Sequence, residues 1–110
     1  MIKVLVIDPG DRPYTAEIRT VRDIPDLIAP DLTIDELESV GINNTDFVCY
    51  YDVLTPDVPC VSFMDSDEMP TIVMGSVVIA KMDEGLDEDD LEELFESIDP
   101  WDIERINDYE

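Results

Sequence analysis

The sequence predicts an α+β fold: a mostly antiparallel sheet of four to five strands with helices packed on one face, the C-terminal helices acidic. Two observations predict it. Short β-branched apolar runs, separated by turns rich in proline and aspartate, recur as far as Lys81. Beyond Lys81 the pattern changes to a helical period of apolar residues. No internal repeat or linker interrupts the 110 residues, so residues 1–110 form one domain.

Residues 2–8 (IKVLVID) read as a buried strand stopped by Pro9-Gly10. Asp8 to Pro13 forms a turn. Residues 14–19 then alternate Tyr14, Ala16 and Ile18 with polar partners, as a strand hairpin-paired with the first would. Asp23 to Pro30 is a short helical turn carrying Ile24, Leu27 and Ile28.

Thr33 and Glu36 make a capping box, Leu32 and Leu37 occupy staple positions and Gly41 fits a C-terminal cap, which predicts a helix over 33–40. Phe47 to Leu54 reads as a strand. Thr55–Val58 suits a turn, and 59–64 returns as the second arm of that hairpin. Asp65 to Glu68 is a polar loop. Residues 71–81 form one long apolar strand with Gly75 as a bulge. Asp87 caps a helix whose inner stripe is Leu91, Leu94, Phe95 and Ile98. Asp99-Pro100 ends it and starts another that presents Trp101, Ile103 and Ile106.

Charge is the outlier. The chain holds 29 acidic and 6 basic residues with no histidine, a net charge of -23. Residues 23–80 carry twelve acids and no base, and 81–110 carry fourteen acids against Lys81 and Arg105. A nucleic acid or an anionic membrane requires the opposite sign, so neither is a partner. Hydrophobic residues are 45% of the chain, which separates it from a disordered acidic tail. No apolar run reaches the ~18 residues of a membrane span, and the N-terminus lacks the form of a signal peptide, so a cytoplasmic location is expected.

Catalysis is argued down by what is missing. Without histidine there is no Ser-His or Cys-His nucleophile, and no Gly-rich phosphate loop is present. The chain is read as no enzyme, with no cofactor. The stretch from Asp83 departs from a calcium loop: Gly85, Glu88 and Leu94 stand where ligands or the turn glycine should be. Only weak, unspecific cation association is expected, and no metal site. Cys49 and Cys60 would face Met64 and Val53 across the 47–64 hairpin, so they read as two buried apolar cysteines without a disulfide.

The helix 87–98 carries the candidate binding residues. At about 100° per residue, Glu88, Asp89, Glu92, Glu93 and Glu96 lie opposite the apolar stripe. Glu88 to Glu96 spans ~12 Å of axis at ~1.5 Å per residue, so these five carboxylates follow one another every 2–3 Å or so. Duplex DNA has one charge per ~1.7 Å. Asp65, Asp67, Glu68, Asp83 and Glu84 in the loops extend the same field. Three like-charge i, i+4 pairs cost the helix ~1 kcal/mol in all, a cost that interleaved lysines would remove. Two plainer readings compete: a face that is merely solvated, and adaptation to high internal salt. Against the second, twelve isoleucines and three alanines show no thinning of large apolar residues.

Val4-Leu5-Val6-Ile7-Asp8-Pro9-Gly10-Asp11-Arg12-Pro13-Tyr14, followed by Ala16-Glu17-Ile18, resembles the opening of the domain of unknown function 3846 family. Met74-Gly75-Ser76-Val77-Val78-Ile79-Ala80 with Leu86–Ile98 is similar to that family's closing strand and helix. The Gly-Leu-Pro segment usual before the family's last strand has no counterpart here. The resemblance implies a small domain of phages, plasmids and bacteria, and it implies no activity and no site residues.

Together, charge and resemblance point to a non-enzymatic acidic protein of phage or mobile-element type. Its partner would be a basic protein surface, the nucleic-acid-binding groove of a host defence protein, occluded as a DNA mimic of anti-CRISPR or anti-restriction type would occlude it. The alternatives are a general interaction or regulatory module whose acidity serves solubility, and a cation-binding protein.

Overall fold

The computed structural model describes residues 1–8, 13–43, 45–52, 59–81 and 85–100. Strands β1 (Ile2–Ile7), β2 (Tyr14–Ile18), β3 (Glu38–Gly41), β4 (Phe47–Tyr51) and β7 (Val77–Lys81) form a five-stranded sheet in the order β2-β1-β7-β4-β3. Strands β5 (Pro59–Met64), β6 (Pro70–Met74) and β8 (Ile98–Pro100) form a second sheet in the order β6-β5-β8. The pairings in both sheets are antiparallel. Helices α1 (Pro25–Ile28) and α2 (Glu88–Ser97) and two single 3-10 turns complete the described chain. The fold is α+β, as the sequence predicts.

The large sheet is buried on both sides. In β1, Leu5 and Ile7 join one apolar cluster while Val4 and Val6 join another, and β7 divides Val77 and Ile79 from Val78 and Ala80 in the same way. Successive side chains of a strand point to opposite faces. A strand covered on both faces therefore needs an unbroken apolar run, which is what residues 2–7 supply. One face is covered by residues 20–37, with Ile24 and Leu37 buried and Leu27 and Ile28 half-buried. The other is covered by the small sheet and α2, through Cys60, Val61, Phe63, Val73, Leu94 and Ile98.

Several expectations are corrected by this arrangement. The helical segments are divided between the two faces, since α1 joins one cluster and α2 the other. The helix expected over 33–40 is a single 3-10 turn, Ile34–Glu36, followed by strand β3. Its capping box forms, with Glu36 accepting from the Thr33 backbone N–H at 3.0 Å. The helix does not propagate, because residues 38–41 pair with β4, placing Val40 opposite Cys49 against the core. Local capping is worth about 1 kcal/mol and yields to a strand ladder with buried side chains.

The expected 47–64 hairpin does not pair either. β4 lies between β3 and β7, whereas β5 lies between β6 and β8. The turn at 55–58 is outside the described residues, as are residues 9–12 of the first turn. The single strand expected over 71–81 is two strands in different sheets, broken at Gly75 with φ of 74°. That left-handed backbone lets the chain leave one sheet for the other. A Gly75→Ala change is expected to cost about 1–2 kcal/mol, read from the urea midpoint. Finally, Asp99-Pro100 belongs to strand β8, pairing with Ser62 and Val61, and the helix expected to follow it falls outside the described residues. Trp101, Ile103 and Ile106 are outside the described residues.

Candidate functional site

Helix α2 begins where the sequence places it. Asp87 accepts from the Asp90 backbone N–H at 2.8 Å, and Asp90 accepts from the Asp87 N–H at 3.1 Å, a reciprocal cap. Leu94 is wholly buried. Glu88, Asp89, Glu92, Glu93 and Glu96 are all exposed, as their angular positions require. The helix brings them together on one solvent-facing surface.

Two residues of α2 depart from the expected division. Phe95, expected inside, is 49% exposed, whereas Asp90 is 8% exposed. The inner row is Asp90 and Leu94, one i, i+4 step, and Phe95 lies about 100° beyond Leu94 at the border of the acidic face. Asp90 is drawn inward by its capping role and by Lys81, whose Nζ is 3.5 Å from its Oδ1. A cleft of about 260 Å³ opens beside this pair, lined by Thr45, Asp46, Phe47, Lys81, Asp90 and Glu93. The inward acid was detectable in principle, because Asp87-x-x-Asp90 is itself a capping spacing.

Lys81 and Arg105 are the only bases after Arg22, so the one beside Asp90 matters. Replacing Lys81 by methionine leaves a nearly buried carboxylate beside Asp46 and Glu93 without its counter-charge. The expected loss is about 1–3 kcal/mol in thermal or urea unfolding, smaller in the Lys81→Met/Asp90→Asn double variant, whose amide oxygen can still accept from the Asp87 N–H.

In the polar loop, Asp67 and Glu68 are exposed, but Asp65 is turned into its own loop. Its Oδ1 accepts from the backbone N–H of Asp67 at 2.9 Å and of Met69 at 3.0 Å, and its Oδ2 accepts from the Thr71 hydroxyl at 3.1 Å. The Met69 N–H, with smaller contributions from Thr71 and Asp67, holds this carboxyl below the usual carboxylate range. Asp65 thus shapes the loop, while Asp67 and Glu68 present charge. A folded-state pKa below the unfolded value contributes stability above the ordinary Asp range, lost as pH falls through the lowered value. Asp65→Asn is therefore expected to be less stable than the parent at pH 7, and the difference should shrink in acid titrations of unfolding as pH falls through the lowered pKa of Asp65. Asp83 and Glu84 lie outside the described residues.

The two thiols are free and buried, in different sheets but one core cluster. Burial pushes Cys49 far up and Cys60 up to about 12, so neither offers a thiolate near neutral pH. Among the described residues no three histidine, cysteine or carboxylate groups come together as a metal would need, and no helix is long and apolar enough to cross a membrane. No family model, no curated protein and no solved structure matches the chain.

Proposed function

We propose that this chain is a non-enzymatic acidic binding protein that occludes a cationic, nucleic-acid-binding surface of another protein. The observation that carries the reading is the exposed row Glu88, Asp89, Glu92, Glu93 and Glu96 on α2. Five carboxylates along ~12 Å of helix approach the linear charge density of duplex DNA. A groove that evolved to hold phosphates meets a similar field here, on a rigid backbone capped at Asp87. Attraction of this kind raises the association rate and fades as salt screens it.

The resemblance of residues 4–14, 16–18, 74–80 and 86–98 to the domain of unknown function 3846 family supports a phage or mobile-element setting. In that setting the target is a host defence protein inside a bacterial cell, as for anti-CRISPR or anti-restriction inhibitors. The test is capture from a bacterial lysate on the immobilised chain, with the bound proteins identified. Enrichment in basic nucleic-acid-binding proteins that elute by ~1 M salt is expected. A captured set no more basic than the lysate, or one indifferent to salt, contradicts the proposal.

A further inference from the structure

Three of the large apolar side chains left exposed, Met64 at 44%, Met69 at 60% and Ile72 at 53%, belong to the β5–β6 hairpin and its loop. The strand register places them together. Val61 pairs with Val73 and Phe63 with Thr71, and Val61, Phe63 and Val73 are buried toward the core. The alternate pairs, Ser62 with Ile72 and Met64 with Pro70, occupy the opposite, outer face. Met64 and Ile72 are diagonal neighbours there, and Met69 adjoins Pro70.

The patch is held firmly. Asp65 fixes the loop through its three hydrogen bonds, and Glu68 adopts a left-handed φ of 62°. The Ser66 N–H donates to Gly41 O at 3.1 Å and the Asn43 N–H to Met64 O at 2.9 Å, which ties the hairpin end to the large sheet. An apolar surface on so rigid a support loses little conformational entropy when covered. Its rim is acidic: Asp67 and Glu68 are exposed beside it, and residues 23–80 contain no base.

We propose that the outer face of the β5–β6 hairpin is a docking surface for a basic segment of a partner protein, with apolar side chains against Met64, Met69 and Ile72 and Lys or Arg toward Asp67 and Glu68. Charge complementarity selects this occupant. A second copy of the chain would bring another net charge of -23 against the same acidic rim, and a nucleic acid would bring phosphates. Methionine side chains adapt to varied apolar partners, and an apolar centre with a charged rim is the usual anatomy of a protein contact. The surface is on a different element from α2 and stands apart from the reading of that helix.

The experiment uses two labelled peptides of equal charge, four lysines alternating with four valines and four lysines alternating with four serines. Binding to the full chain is followed by fluorescence anisotropy at ~0.15 M and ~0.5 M salt. The valine peptide is expected to bind about tenfold tighter, the preference persisting at the higher salt, because it rests on apolar burial. The Met64→Ser/Ile72→Ser variant, with an unchanged circular dichroism spectrum, should lose the preference and keep the weak charge-driven binding. Glutamine at all five α2 acids should weaken both peptides alike and leave the preference intact. Equal affinity for the two peptides, a preference that survives in the serine variant, or sedimentation showing a dimer that hides the patch overturns the proposal.

Discussion

Changing Glu88, Asp89, Glu92, Glu93 and Glu96 together to glutamine is expected to weaken binding to a cationic protein groove about a hundredfold. Exposed ion pairs contribute ~0.2–1 kcal/mol each, so five amount to roughly 3 kcal/mol at the middle of that range. Most of the loss should appear in the association rate and vanish as salt is raised, since the attraction is long-ranged and screened. The fold should scarcely notice. Three i, i+4 repulsions worth ~0.2–0.5 kcal/mol each disappear. Against that gain, Glu88 and Asp89 sit in the first turn of α2, where negative charge is favourable by ~0.3–1 kcal/mol each. The terms offset, and stability within about 1 kcal/mol of the parent is expected from urea unfolding. Binding that persists in this variant would favour a module whose acidity serves solubility alone.

Leu94→Ala is expected to cost about 3–5 kcal/mol, the largest single effect on stability. Leu94 is wholly buried and is where α2 enters the cluster built from Leu5, Ile79, Phe47 and Val61. Its removal forfeits transfer energy and leaves a cavity that two sheets and a helix cannot close. Small domains have ~5–15 kcal/mol in total, so the variant should unfold at much lower urea and lose its acidic face with the helix. Leu94→Met, close in volume, should cost less than about 1.5 kcal/mol. A loss under ~1 kcal/mol for alanine would mean that α2 is not anchored as described.

What the sequence made legible was local. The β1–β2 hairpin needed only alternation and a turn, and α2 needed an N-cap and a period of apolar residues. What it hid was non-local. Residues 33–41 carry valid helix signals, yet Val40 finds a place opposite Cys49 that no local pattern announces. Residues 71–81 look like one strand because both halves are apolar, but they belong to different sheets, and only Gly75 hints at the break.

The candidate site followed the same rule. The five outer acids of α2 were readable from their angles, since charge does not enter a core unpaired. Phe95 sits at the edge of the apolar stripe, where spacing alone does not separate inside from outside. The buried arc instead centres on Leu94 and Asp90, and the latter is accommodated only because Lys81, nine residues earlier, comes alongside. Asp65 looked like one more surface charge, and its three hydrogen bonds within the loop became visible only once the hairpin closed.

The most direct measurement is a competition on a nucleic-acid-binding protein captured by the chain, titrating duplex DNA into the preformed complex at fixed salt. Because both ligands would occupy one cationic groove, DNA should displace the chain stoichiometrically, and the five-glutamine variant should be displaced at far lower DNA concentration. A stable ternary complex, with chain and DNA bound at once and neither weakening the other, would contradict the account.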